Sequence, residues 1–309
     1  MSITFDATGA IVVGTDLSAP AGRALEWAAE RAAATTKKLI VVFSLPELMM
    51  PSYGQLLETV VPTDWSEETR RTAGDRLEEI RQRLTTTHRG LTVETHVEVD
   101  PPSYVLAQSS KVADLVVVGA RGQHAPASVR ALGGTADVTV AHAHGPVAVV
   151  TDLAEAHPEG PVVVGVDDSE ESRAALRIAF AEARAHGSTL KALHAWDVTP
   201  WVSDPRTAAV VPLPPMQDDL RRAVERWIAP FVEGEPTVEV EVDIVELRPA
   251  QALIDASHGA RLLVVGSRGR GGFAGLLLGS TSRRTLREAR CPVIVTRSDD
   301  RRVGEPKPR

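Results

Sequence analysis

Residues 11–18 read IVVGTDLS and residues 162–169 read VVVGVDDS, so the chain begins the same pattern twice at an offset of 151. The match continues at that offset with LIVVF (Leu39–Phe43) over LKALH (Leu190–His194). It resumes at 147 with DLVVVGARG (Asp114–Gly122) over RLLVVGSRG (Arg261–Gly269), and at 146 with GPVAV (Gly145–Val149) over CPVIV (Cys291–Val295). So small a drift puts the length changes in loops. A period this long describes a duplicated domain, because solenoid repeats run to only about 20–45 residues. The 309 residues suit two domains, expected at 8–151 and 159–297, with polar DLAEAHPEGP (Asp152–Pro161) between them and a disordered tail at 298–309.

Both copies read alike. Apolar runs without alternation at Ile11–Gly14, Leu39–Phe43, Leu115–Gly119 and Val147–Val150 predict strands buried on both faces. Ala19–Ala34 predicts a helix with Leu25, Ala28 and Ala32 on one stripe. Trp65–Leu84 predicts a charged amphipathic helix opening at Asp64 or Ser66. Alternating strand and helix argues for an α/β fold with a parallel sheet and helices on both faces. Thr92–Val99 and Thr237–Val245 alternate in polarity, as edge strands do. Pro46–Pro62 and Pro200–Pro215 read as long proline-rich loops, a length usually kept for function.

Composition closes several routes. One cysteine, Cys291, excludes an internal disulfide framework and a multi-thiolate metal site, and it reads as a packed small residue. The net charge of −7 splits into −4 (13 basic, 17 acidic) and −3 (21 basic, 24 acidic) at residue 150. Neither half is therefore a basic nucleic-acid module. No apolar run reaches the length of about 18 residues that a membrane span needs, and Met1–Ala7 lacks an export signal, so a cytoplasmic protein without membrane contact is expected. His142 and His144 have no third ligand near them in sequence for a metal.

The sharpest local signal is LLVVGSRGRGGFAGLLLGSTS at 262–282. In doubly wound sheets, ligands bind outside the carboxyl ends of the strands. Gly266 and Gly269 fall at such an end, and Gly279 and Ser280 open a helix read as Ser280–Arg290, with Ser280 and Ser282 as candidate caps. A helix N-terminus favours phosphate, so the spacing G-x2-G-x9-G-S sets two anion-friendly elements around one crevice. Turn glycines alone would look the same. Gly269, Gly271 and Ala274 also fit a dinucleotide fingerprint, but after the fourth strand instead of the first, and no Walker lysine exists. Asp16 and Asp167 end the first strands, placed either to bind a ligand hydroxyl or to cap a helix. The Arg268, Arg270, Arg283 and Arg284 cluster suits phosphate or a solvated helix face equally.

The opening VVVGVDDS with Ser172 after it, the Gly266–Ser280 glycine run and the closing CPVIV strand together resemble the universal stress protein family in its tandem form. The resemblance covers 8–151 and 159–297 and implies two tandem open five-stranded parallel sheets of order 3-2-1-4-5. It implies an ATP-binding protein of the stress response, with Mg able to accompany the phosphates. By that resemblance Val166 and Asp167 line the adenine and ribose side, and the Ala195 backbone meets adenine. Gly266 and Gly269 flank ribose and α-phosphate, and Gly279, Ser280 and Ser282 hold phosphates. The matching positions in the first copy are Thr15, Asp16, Ser44, Gly119, Gly122, Gly133 and Gly134 or Thr135. There ten residues separate Gly122 from Gly133, Gly134 stands where Ser280 does, and His124, Pro126 and Ser128 replace loop glycines. One extra residue shifts amides by up to about 3.5 Å, which predicts a weaker or empty first site. No catalytic constellation is legible, though slow ATP hydrolysis is compatible with these residues. A homodimer is expected, its two domains packed as an internal pseudo-dimer. The alternatives are a nucleotide-free interaction module pairing through its last strands, and an adenylating enzyme, which the acidic or apolar GVDDSEE and GTDLSAP loops disfavour.

Overall fold

The computed structural model describes residues 3–45, 63–122, 132–155, 157–197, 213–270 and 277–298, with only the backbone of 63–67 and 213–216. The long proline-rich loops (the second up to residue 212), the loop residues His124, Pro126, Ser128, Gly271, Gly272, Ala274 and Gly275, and the tail beyond Ser298 lie outside it. The described residues divide into two compact units, the first closing at Val147 and the second continuing from Ala148.

In the first copy the elements are β1 (Ile11–Thr15), α1 (Ala19–Ala34), β2 (Leu39–Ser44), α2 (Thr63–Thr87), β3 (Val93–Glu98), α3 (Pro102–Ser109), β4 (Leu115–Gly119), α4 (Gly134–His142) and β5 (Val147–Val150). The second copy repeats them as β6 (Val162–Gly165), α5 (Glu170–His186), β7 (Leu190–Trp196), α6 (Leu213–Gly234), β8 (Val240–Glu246), α7 (Pro249–Ala256), β9 (Leu262–Gly266), α8 (Ser280–Glu288) and β10 (Val293–Thr296). Strand order is β3-β2-β1-β4-β5 in one and β8-β7-β6-β9-β10 in the other, the expected 3-2-1-4-5 order. β1 pairs in parallel with β2 and β4, and β6 with β7 and β9.

The strands form where the apolar runs predict. Ile11, Val12 and Val13, like Val162, Val163 and Val164, are wholly buried, as central parallel strands covered on both faces must be. The alternating segments are β3 and β8, the outermost strands of each order. α1 starts where Ser18 accepts a hydrogen bond from the Ala21 amide (3.3 Å) and buries the face Ala21, Ala24, Leu25, Ala28, Ala29 and Ala32. α5 starts on Ser169 in the same way, with Glu170 and Glu171 in its positive first turn, and stops at Gly187 in the left-handed conformation (φ 61°).

Two elements escape the periodicity argument. α3 and α7 have eight residues each, barely two turns, too few for a 3.6-residue pattern to declare itself. Both carry proline in the first turn, whose fixed φ suits a helix start. They account for the fourth residue of each opening motif. A Cβ on Gly14 would stand 2.8 Å from Leu106 Cδ1, and one on Gly165 would stand 3.1 Å from Leu253 Cδ2. These glycines serve helix-on-sheet packing.

Candidate functional site

At the carboxyl ends of β6, β7 and β9 lies a cleft of about 530 Å3, and at those of β1, β2 and β4 one of about 450 Å3. Both fall within the range of small-molecule sites. Val166, Asp167, Ala195, Gly266, Gly269, Gly279, Ser280 and Ser282 all line the former. Thr15, Asp16, Ser44, Gly119, Gly122, Gly133, Gly134 and Thr135 all line the latter. Sixteen positions spread along the sequence thus meet in two crevices.

Asp167 is not the cap of its helix, because Ser169 takes that role. Its Oδ1 accepts from the Ser169 amide (3.3 Å) and hydroxyl, and Oδ2 accepts from the Arg270 amide (3.0 Å). The carboxylate therefore bridges the first strand's end to the glycine loop. Gly269 makes this approach possible, since a Cβ there would fall 2.4 Å from Asp167 Oδ2. Gly122 stands in the same relation to Asp16 Oδ2, at 2.9 Å. Asp16 Oδ1 accepts from the Ser18 amide (3.0 Å), and between them Leu17 is held left-handed (φ 62°), a costly conformation for a side-chain-bearing residue.

The helix N-termini correct two expectations. Neither Ser280 nor Ser282 caps α8; the cap is Gly279, with no side-chain cap hydrogen bond, and Gly133 caps α4 likewise. The first amides of both helices are therefore left to other acceptors, as an anion site requires. Ser282, buried, donates its hydroxyl to the carbonyls of Gly266 (2.7 Å) and Ser267 (3.2 Å), tying the helix to the strand end.

The extra residue of the first copy does not displace its helix cap. The Gly133 amide donates to the Ala120 carbonyl at 2.8 Å, and the Gly279 amide to the Ser267 carbonyl at 2.8 Å. Their dihedrals agree, φ −64°, ψ 154° against φ −71°, ψ 158°. Gly134, Thr135 and Ala136, following the cap, therefore stand where Ser280, Thr281 and Ser282 do. The displacement predicted from loop length is absent.

Other lining residues carry chemistry. Arg268 pairs with Glu171 at 2.8 Å (Glu171 12% exposed), while in the first copy the sequence places Arg121 at the position of Arg268 and Pro20 at that of Glu171. Arg270 also lines the second cleft, whereas Arg284 turns to Gln251 (2.9 Å) and Glu288 (3.2 Å). Sequence reasoning passed over Pro102, Leu106, Pro249 and Leu253, the clefts' apolar walls, because it missed the short helices that bear them. It also passed over Phe43 and His194, which it read only as strand residues. The repeated G-x-R-G of Gly119–Gly122 and Gly266–Gly269 was the signal for Arg121.

Cys291 is buried, and burial pushes its thiol up to about 12, which suits its packing role. Among the described residues no group of three or more His, Cys, Asp or Glu side chains could hold a metal ion. No described helix is long and apolar enough to cross a membrane.

The arrangement is that of a tandem doubly wound α/β protein with clefts at the carboxyl ends of its strands, the place where such sheets bind ligands. The universal stress protein family profile matches residues 8–151 and 160–297, and the chain belongs to that family. It is 35% identical over 297 residues to a universal stress protein of Mycolicibacterium smegmatis, covering 93% of this chain and 96% of that one. A universal stress protein of Mycobacterium tuberculosis is 34% identical over 315 residues, covering 93% and 94%. The crystal structure of a universal stress protein from Archaeoglobus fulgidus shares the fold, with a TM-score of 0.66 at 21% identity over 93% of this chain and 96% of that one.

Proposed function

We propose that this protein is an adenine-nucleotide-binding regulator of the stress response, taking ATP into the clefts at the carboxyl ends of its strands. The observation that carries the reading is the convergence, in each cleft, of a strand-end aspartate, a glycine loop with an arginine, and a helix N-terminus without a side-chain cap. Asp167 and Asp16 suit a ribose hydroxyl, Arg268 and Arg121 suit phosphate, and the α8 and α4 amides suit the outer phosphates. Magnesium, where it accompanies ATP, would take its oxygens from the phosphates and water, as it commonly does. The nucleotide acts as a ligand that alters conformation or partners. A cytoplasmic homodimer without nucleic-acid or membrane partners belongs to the same reading, as do domain bounds of 8–151 and 159–297.

The test is the identity and stoichiometry of nucleotide released when the purified protein is denatured, followed by calorimetric titration with ATP. The informative variants are Ser280→Glu and Gly134→Glu. Each sets a carboxylate at a helix N-terminus, where helices tolerate acids, yet occupies the phosphate position. A Cβ on Gly134 meets nothing within 4 Å, so the first atom of that side chain has room. Each is expected to remove one equivalent of ATP per chain while leaving the melting temperature in place. Protein that carries no nucleotide and shows no heat with added ATP would reduce the glycine loops to turns and favour the interaction module.

A further inference from the structure

The two clefts differ most at one register position near the strand ends, where a histidine in the second stands for a phenylalanine in the first. Beyond the ladder that pairs Gly165 with Leu193, Val166 lies opposite His194; in the first copy Thr15 lies opposite Phe43. His194 and Phe43 both line their clefts. His194 is 9% exposed, and its Nδ1 lies 2.7 Å from the Val166 carbonyl oxygen. A carbonyl oxygen can only accept, so the shared proton belongs to Nδ1, and a neutral imidazole then carries its lone pair at Nε2. Trp227 of α6 holds the ring edge-on, with centroids 5.6 Å apart at 68°. Nε2 makes no hydrogen bond among the described residues and is not sealed from solvent. A fixed acceptor therefore stands beside Val166 and Ala195, where the first cleft has a phenyl ring that offers only apolar contact.

We infer that His194 makes the second cleft selective for a base bearing an exocyclic amino group, adenine over its 6-oxo counterpart hypoxanthine, while the first cleft with Phe43 accepts the two alike. The inference rests on the nucleotide reading above. An amino group donates to the Nε2 lone pair, whereas a ring carbonyl in its place sets two acceptors against each other in a half-dry site. Discrimination is expected to be about three- to tenfold, the factor that one hydrogen bond supplies.

The experiment is photolabelling with 2-azido-ATP, with the labelled peptides assigned by mass spectrometry so that each cleft is read separately, and with ATP or ITP as competitor. In the native protein ATP should displace label from the second cleft at about three- to tenfold lower concentration than ITP, and from the first at the same concentration. H194F should bring the second-cleft ratio to one. H194Q, whose amide carbonyl restores an acceptor, should keep it above one, and F43H should raise the first-cleft ratio. Thermal melts of each variant check folding, and F43H tests the idea independently of any disturbance at His194. A second-cleft ratio of one in the native protein, or one untouched in folded H194F, overturns the inference while leaving nucleotide binding intact. Label that no adenine nucleotide displaces overturns the nucleotide reading itself, and this inference with it.

Discussion

Gly269 shows how much one hydrogen atom in place of a methyl group can decide. A Cβ there would stand 2.4 Å from Asp167 Oδ2, so Gly269→Ala must drive the carboxylate or the loop away and break the Arg270 amide's bond to it. Nucleotide affinity in the second cleft is expected to fall at least tenfold by calorimetry. Gly134→Ala, with open space around it, should leave the first cleft unchanged. At Cys291 the consequence is a pH dependence. Burial raises the thiol from its ordinary value of 9.0 to about 12, so the native state keeps a proton that the unfolded chain releases. That stabilisation is complete below pH 9 and is lost as pH rises toward 12, by up to about 1.4 kcal/mol per pH unit. Urea unfolding at pH 8 and pH 10 measures it, and Cys291→Ala should flatten the decline. The sequence placed this cysteine correctly as packing, because a lone thiol at the start of an apolar strand has few other fates.

The helix-to-strand joint below the second cleft rests on Ser282, whose hydroxyl serves two strand-end carbonyls, where the first copy has Ala136. Ser282→Ala therefore imports a residue that the fold already accepts at the equivalent place, and should cost about 1 kcal/mol by denaturant titration. The elements themselves were legible to different degrees. Ala19–Ala34 is the helix its composition announces, and the edge strands declare themselves by alternation. α3 and α7 stayed hidden, being too short to show a period, and with them the apolar walls that Leu106 and Leu253 supply. Ser280 and Ser282 read as caps because serine commonly caps helices. The structure gives that place to Gly279, a residue whose bare backbone suits a close-approaching ligand better than a hydroxyl would.

For the whole molecule, ATP that binds the native chain alone stabilises it by mass action, about 2.7 kcal/mol per cleft at a hundred times the dissociation constant. Melting temperature should therefore climb with ATP, and combining Ser280→Glu with Gly134→Glu should abolish the climb without lowering the starting value. An unaltered response in the double variant would mean that ATP acts elsewhere. The duplication, the strands and the long helices were legible in the sequence alone, since burial and turn chemistry write periods and punctuation into neighbouring residues; of the cleft positions, the strand-end aspartates and the glycine run showed themselves in the same way, and the others were implied by the family resemblance. Tertiary structure alone decided why Gly14 and Gly165 are glycine, that Gly133 regains the position of Gly279 despite an added residue, and which nitrogen of His194 carries the proton. Each of these depends on an atom brought close from a distant part of the chain, and such distances leave no periodic trace in a linear pattern.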